Sequence, residues 1–225
     1  MFDVDLHTHS RFFHVGDGPT AYDSVGLRTN AFVARRRGLD AIAVTNHDYR
    51  YTAETALPTL PGVEVSTTRG HVLVVGPDPP AETTPGALTP AQTVELAHDR
   101  GCAAILAHPY RNSAARQSRA RFDAVELNGK NPEHVHMTRR LAAELDLPLV
   151  GGSDAHYPFE IGRAFTRIDA DELTPTAVAD AIRAGDVEPV VDLGRIHRLL
   201  DRAYTRLHER KGWMDVVDDA DVRTS

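Results

Sequence analysis

The sequence contains a single cysteine, Cys102, and only two lysines, Lys130 and Lys211, in 225 residues. One cysteine excludes a disulfide framework, a cysteine-based zinc ribbon and an iron–sulfur cluster. Because Cys102 begins an apolar run, we predict that it is a small buried hydrophobe. The basic residues are almost all arginine, a balance that suits either a high-salt cytoplasm or a GC-rich genome.

Long hydrophobic runs are also absent. No window approaches the ~18 apolar residues that a membrane span needs, and the N-terminus lacks the layout of a signal peptide. We therefore expect a cytoplasmic protein without a membrane partner. The formal net charge of −7 and the sequence pI of about 5.9 argue against a large nucleic-acid footprint, which usually needs a basic face.

Short apolar runs alternate with amphipathic segments along residues 1–191. The predicted strands are Phe2–Leu6, Asp40–Thr45, Gly62–Ser66, His71–Gly76, Cys102–Ala107, Asp123–Leu127, Leu147–Gly151, Phe165–Ile168 and Glu188–Val191. The predicted helices are Val25–Arg37, a segment that Thr89 caps and Gly101 ends, Glu133–Leu145, and a segment from Thr174-Pro175 to Gly185. This alternation indicates an α/β domain with a largely parallel sheet. A small βα barrel is the preferred interpretation, and an open doubly wound sheet is the alternative.

The last segment, residues 192–225, has a different pattern. Apolar residues recur there at three- and four-residue spacing, which predicts an amphipathic helix: Leu193, Ile196, Leu199, Leu200, Ala203, Tyr204 and Leu207. We expect this helix to pack back on the barrel, with a dimer contact as the alternative, so the oligomeric state stays open. The acidic stretch Asp215–Ser225 is predicted to be frayed or disordered.

Histidines and acidic residues stand at the ends of the predicted strands. They are His7, His9, His47, Glu64, His108, Glu126, Asp154 and His156, with His71 the exception because it begins a strand. In a barrel the carboxyl ends of the strands converge on one face, so residues far apart in sequence become candidates for one site.

Imidazole and carboxylate ligands without thiolate are typical of Zn²⁺, Mn²⁺ or Fe²⁺ sites. The His7-Thr8-His9 pair places two imidazoles on one side of an extended chain, because side chains alternate with a period of two. Glu64 can bridge two metals, which a histidine does not do. The number of ligands exceeds what one ion uses, and we therefore expect two or three divalent ions.

These motifs resemble, in order, those of the PHP family, named for its polymerase and histidinol phosphatase members. The opening motif is Asp5-Leu6-His7-Thr8-His9-Ser10, and the later ones are Thr45-Asn46-His47-Asp48, Gly62-Val63-Glu64-Val65-Ser66, the run beginning at His71, Ala107-His108-Pro109 and Gly152-Ser153-Asp154-Ala155-His156. The resemblance covers about residues 1–190. It implies a distorted (βα)7 TIM-like barrel with a trinuclear metal centre.

The resemblance also implies which residues bind each ion. The first metal would take His7, His9, Glu64 and Asp154; the second would share Glu64 and add His71 and His108; the third would take His47 and His156.

The sequence departs from the family pattern at the third metal. The family usually has an acidic residue shortly after the His-x-His pair, where this chain has Phe12, Phe13, His14 and Val15. We expect His14 to substitute as a ligand, with Asp17 as the alternative. Asn46 also stands where the family often has aspartate, which implies that the third metal binds weakly or is absent.

The hypothesis that follows is hydrolysis of a phosphate ester, a small phosphomonoester or a nucleotide, by metal-activated hydroxide. His47 or His156 would supply a proton to the leaving group if not committed to metal. Arg111 and Arg163 are the predicted substrate-binding residues, because arginine suits bidentate phosphate contacts.

Two alternatives remain. The first is a 5′ to 3′ exonuclease that acts on short nucleic-acid ends, which relatives of this family perform. The second is a metal-binding domain without catalysis. Release from a short oligonucleotide, compared with release from a mononucleotide, would separate the first alternative from the main hypothesis.

Overall fold

A computed structural model describes residues 1–11, 18–111 and 113–192. In this part the strands are β1 (Phe2–Thr8), β2 (Ala41–Val44), β3 (Thr59–Thr67), β4 (Gly70–Val75), β5 (Ala103–Leu106), β6 (Ala124–Asn128), β7 (Leu149–Gly152), β8 (Ala164–Ile168) and β9 (Val187–Val191). The α-helices are α1 (Ala21–Arg36), α2 (Pro90–Asp99), α3 (Val135–Leu145) and α4 (Pro175–Ala184). The predicted tail helix and acidic end lie outside the described residues.

The strands form one sheet in the order β7-β6-β5-β4-β3-β2-β1-β8-β9. β1, β2 and β3 pair in parallel, as do β5, β6 and β7. β4 is antiparallel to both of its neighbours, and β8 is antiparallel to β1 and β9. The expectation of a largely parallel sheet is therefore wrong for half of the pairings. Only residues 68–69 separate β3 from β4, and so short a connection can join antiparallel strands but not parallel ones.

The two ends of the sheet curl toward each other. The Thr166 hydroxyl in β8 accepts from the backbone N–H of Gly151 in β7 (2.8 Å) and donates to its carbonyl (2.9 Å). A side chain at Gly151 would stand 2.3 Å from the carbonyl oxygen of Phe165, so only glycine permits this approach. The predicted α/β fold, a distorted TIM-like barrel, is confirmed in its nearly closed form.

The structure confirms the predicted start of α2 and moves the starts of α1 and α3. The prediction of Thr89 as the cap of α2 is correct: its hydroxyl accepts from the N–H of Gln92 at 3.3 Å. α1 begins at Ala21 rather than Val25, because the Asp23 carboxylate accepts from the N–H of Thr20 and the first turn is polar. α3 begins at Val135 rather than Glu133, because a 3₁₀ turn at Pro132–His134 precedes it.

The apolar core fills the barrel interior and the space between sheet and helices. Val4 and Leu6 of β1 lie inside with Ile105 of β5, while Val94 of α2 packs on the outer face. Cys102 is fully buried in that outer cluster, as predicted. Among the described helices, none is long and apolar enough to span a bilayer. The interior is apolar up to one rim, where the polar side chains gather.

Candidate metal centre

Glu64 lies in the middle of β3, is fully buried, and divides its two carboxylate oxygens between two groups of histidines. Its Oε2 lies 3.1 Å from His7 Nε2 and 3.2 Å from both His9 Nε2 and His47 Nδ1. Its Oε1 lies 2.7 Å from His71 Nδ1 and 2.9 Å from His108 Nε2. Each oxygen of this carboxylate therefore faces its own set of imidazole nitrogens.

His71, the exception in the sequence pattern, joins the site because β4 runs antiparallel. His71 pairs with Ser66 near the end of β3, so the start of β4 lies at the same rim as the carboxyl ends of the neighbouring strands. His108 follows β5, and its Nε2 lies 3.4 Å from His71 Nδ1. The reversed strand thus completes the second histidine group.

Asp154 contributes a second carboxylate beside the first group. Its Oδ1 lies 3.3 Å from His9 Nε2 and 3.7 Å from His7 Nε2, and those two nitrogens are 3.2 Å apart. His156, two residues on, has its ring 4.1 Å from that of His9, measured between centroids. Ligand atoms that could hold a metal form four groups, each with its atoms within 4.8 Å of one another: His7, His9 and Glu64; His7, His108 and Asp154; His47, Glu64 and His71; His9, His47 and His156.

The donor set fits divalent metal ions. Two ligands about 2.1 Å from a common ion are separated by about 3.0 Å in octahedral and about 3.4 Å in tetrahedral geometry, and the separations around Glu64 Oε2 match that range. His7 Nε2 and His9 Nε2 both face the same two carboxylate oxygens, Glu64 Oε2 and Asp154 Oδ1. Buried carboxylates require compensating positive charge, which a bound cation would supply together with Arg111 and Lys130.

Glu126 selects the nitrogen that His7 turns toward this point. The fully buried His7 Nδ1 lies 2.7 Å from Glu126 Oε1, and with its N–H donated there Nε2 is the nitrogen turned toward Glu64, where a metal ion would displace its proton. The other oxygen, Oε2, accepts from the backbone N–H of His108 at 2.8 Å. A side chain at Gly152 would stand 2.5 Å from Glu126 and 2.6 Å from His7, so glycine makes this packing possible. Glu126 therefore supports one ligand in each histidine group.

Two candidate ligands have backbones in the left-handed region. The φ of His108 is 23° and that of Asp154 is 51°, values that non-glycine residues rarely adopt. The hydrogen bond that the backbone N–H of His108 donates to Glu126 Oε2 stabilises the first of these conformations. Such strain concentrates at functional sites, where the surrounding structure over-determines it.

The carboxylates and imidazoles shift one another's pKa. Burial opposes the charge of His7, but Glu126, Glu64 and Asp154 outweigh it and raise the His7 pKa well above its ordinary value. Burial and the nearby imidazoles lower the pKa of His47 to about 2. Burial, with His9 and Lys130, also lowers the pKa of His156. The last two imidazoles are therefore neutral at physiological pH, the form that binds metals.

The arginines after His108 have different positions. Arg111 pairs through Nη1 with Asp154 Oδ2 at the rim of the site, whereas Arg116 donates to the Pro109 carbonyl at 2.9 Å, and Arg119 is exposed. Arg163 is buried with its guanidinium over the Phe159 ring, 5.7 Å from the centroid. Of the two predicted substrate-binding arginines, Arg111 has a contact with a candidate ligand, Asp154, among the described residues.

His14 and Asp17, the alternatives for a further ligand, lie outside the described residues. Asn46 is not turned toward the ligand groups: its Oδ1 accepts from the backbone N–H of Ser10 at 2.8 Å, and its Nδ2 donates to the Ser10 hydroxyl. Among the described residues, the third group therefore consists of histidines alone.

No specific role was predicted from the sequence for two residues at the site, although one of them, Glu126, was among the candidates at strand ends. Glu126 was visible in the sequence as an acid at a strand end, but its spacing does not distinguish a ligand from a residue that supports one. Lys130 places its amine 2.7 Å from His156 Nδ1 and 3.3 Å from Asp154 Oδ1. Its signal was its rarity, as one of two lysines in the chain.

Comparison with protein families matches residues 132–187 to a region described as PHP-associated. An uncharacterized protein of Methanocaldococcus jannaschii is 28% identical over 118 residues, which cover 48% of this chain and 67% of that protein.

Solved structures share the fold. PsfC from Pseudomonas syringae superposes with a TM-score of 0.70 at 19% identity, over 92% of this chain and 98% of PsfC. A two-domain protein from Bacteroides vulgatus containing a predicted PHP-like metal-dependent phosphoesterase gives 0.57 at 18% identity, over 90% of this chain and 69% of that one. A lesion-specific endonuclease from Pyrococcus furiosus superposes with a TM-score of 0.53 at 18% identity, over 84% of this chain and 57% of the endonuclease. At such identities the likeness establishes the fold alone.

Proposed function

We propose, from the premise that this chain is a member of the PHP family, that it hydrolyses a phosphate ester, either a small phosphomonoester or a nucleotide. The observation that carries the proposal is the division of the Glu64 carboxylate between two groups of histidines. The candidate ligands are His7, His9, His47, Glu64, His71, His108, Asp154 and His156, with His14 still a prediction. The donor types are compatible with Zn, Mn and Fe ions and do not by themselves choose among them.

Metal ions held there would lower the pKa of a water molecule and polarise a phosphoryl oxygen. The chain supplies the rest of the chemistry. Glu126 orients His7, and the Arg111 guanidinium stands at the rim, where it can turn from Asp154 to a phosphoryl oxygen. Arg163 stays a second predicted phosphate ligand.

The opening of the site is on the side of His47, His71 and Arg111. Their side chains are 27%, 32% and 40% exposed, whereas Glu64 and His7 are fully buried. A substrate phosphate therefore approaches past an arginine. His47 stays a predicted catalytic residue near the opening, but its lowered pKa leaves the imidazole neutral, so that it can accept a proton and not donate one.

The test is hydrolysis by metal-analysed protein across a panel that runs from p-nitrophenyl phosphate through nucleoside monophosphates to short 5′-phosphorylated oligonucleotides. We expect turnover of the monoesters, and its loss in His9→Ala with the fold retained. His136→Ala is the matched control, because His136 is exposed on α3. Full activity of His9→Ala would refute the assignment.

The same panel separates the competing functions. Preference for oligonucleotide ends over mononucleotides would favour the nuclease, an alternative that the endonuclease with the same fold keeps open. Stoichiometric metal without turnover of any phosphate ester would instead indicate a non-catalytic metal-binding domain. The net charge of −7 favours a small substrate over long nucleic-acid contacts.

A further inference from the structure

Lys130 brings a positive charge into the candidate metal centre. Its side chain is only 15% exposed, and its Nζ lies 2.7 Å from His156 Nδ1, 3.3 Å from Asp154 Oδ1 and 4.0 Å from Glu160 Oε2. The backbone N–H of Lys130 donates to Asn128 Oδ1 at 2.9 Å, which anchors the residue just beyond the end of β6. The ammonium is thus held between two carboxylates and one imidazole.

This contact favours one of the two neutral tautomers of His156. A lysine ammonium has donors only, so the nitrogen that it approaches must offer a lone pair. With Nδ1 as the acceptor, a neutral His156 has its proton on Nε2. An imidazole in that form cannot bind a metal through Nε2.

Metal-binding histidines ordinarily have the opposite arrangement, in which the second ring nitrogen donates to a carboxylate, a carbonyl or water. An acceptor for that arrangement is present, because the carbonyl of Asp154 lies 3.1 Å from His156 Nδ1. Asp154 Oδ1 also lies 3.3 Å from this nitrogen. Two acceptors therefore compete there with the ammonium, which at 2.7 Å is the closest of the three.

The consequence falls on the third group of ligands, His9, His47 and His156. His9 already lies beside Glu64 and Asp154, so His156 is the ligand on which a separate third ion depends. The charge of Lys130 also opposes a further dication at close range.

We propose that Lys130 holds His156 in its Nε2–H form, so that the centre binds two metal ions and His156 faces the substrate as a hydrogen-bond donor. This inference deepens the proposed function and rests on it for the identity of the acceptor, an oxygen of the phosphate ester. Lys130 is then a positioning residue, and His156 is the residue that contacts the substrate.

The first test is the metal content of purified protein, saturated with Mn²⁺ or Zn²⁺, freed of excess ion and analysed by inductively coupled plasma mass spectrometry. We expect two ions per chain in the wild type and in Lys130→Arg, which keeps a donor, and three in Lys130→Met. Lys211→Met is the matched control, with the same charge change at the only other lysine, and should hold two. Three ions in the wild type, or an unchanged count in Lys130→Met, would overturn the proposal.

The second test observes the tautomer directly by ¹⁵N NMR of histidine-labelled, zinc-loaded protein, with the His156 signals assigned through their loss in His156→Gln. We expect a protonated Nε2 and an unprotonated Nδ1 in the wild type, with the proton moved to Nδ1 in Lys130→Met. A protonated Nδ1 in the wild type contradicts the inference even if Lys130→Met does not fold. Both readouts are independent of turnover, so failure of the proposed hydrolysis leaves them interpretable.

Discussion

Glu126 Oε1 lies 2.7 Å from His7 Nδ1, in a pair whose side chains are both fully buried. The same carboxylate accepts from the backbone N–H of His108. One acid thus contacts a histidine on each side of Glu64, although it is not itself assigned as a ligand.

Glu126→Gln should weaken metal binding about 10- to 100-fold, the range typical for residues that orient metal ligands. A glutamine offers one acceptor oxygen for the two N–H groups, so either His7 or His108 faces an amide that donates instead. Chelator competition measures the change. Glu133→Gln, at an exposed carboxylate, is the control and should bind metal like the wild type. Equal affinities of the two variants would show that Glu126 does not orient the ligands.

Metal binding should strengthen as pH rises through neutrality. The carboxylates around His7 raise its pKa in the metal-free protein, so this histidine carries a proton that a metal must displace. In the metal-free protein the same proton stabilises the folded state. Its contribution to the free energy of unfolding is complete below the ordinary pKa of about 6.5 and is lost as pH rises through the raised pKa.

Calorimetric titration of metal in two buffers with different ionisation enthalpies measures the protons released. We expect release at pH 7 and smaller release in Glu126→Gln, where one of the carboxylates that raise the His7 pKa is gone. Metal uptake without proton release at pH 7 would contradict this account of His7.

Arg111→Ala should raise KM for a phosphate ester about 10- to 100-fold, the effect of losing a hydrogen bond to a charged group of about 1.5–3 kcal/mol. Arg111 reaches the rim of the site and pairs with Asp154, whereas Arg121 on the same segment is exposed. Arg121→Ala is therefore the matched control. Steady-state kinetics separate KM from kcat, and an unchanged KM in Arg111→Ala would exclude the guanidinium from substrate binding.

The sequence alone predicted most of the residues that meet at the rim, because strand ends can be read from apolar runs and the carboxyl ends of barrel strands share a face. The presence of His71 at the rim cannot be explained in this way. Its position at the start of β4 makes sense only once the strand is known to run antiparallel, which depends on the short turn at residues 68–69.

Other features depend on tertiary contacts that no periodicity encodes. The first turn of α1 is polar because Asp23 is buried against Ser10 and Tyr49, and a pattern of apolar residues therefore misses it. Lys130 contacts His156 across 26 positions of sequence, and its position follows from the fold around β6 and β7. The local sequence around Lys130 therefore predicts neither its contact with His156 nor the effect that we propose for this contact.

The bridging role of Glu64 is tested most directly by the metal content of Glu64→Gln beside that of the wild type, both saturated with Mn²⁺ and freed of excess ion. A glutamine has one neutral acceptor oxygen, whereas the Glu64 carboxylate offers one charged oxygen to each of the two histidine groups. The account predicts at least two ions per chain in the wild type and loss of both groups' ions together in the variant. Retention of wild-type metal content in a folded Glu64→Gln protein would contradict it.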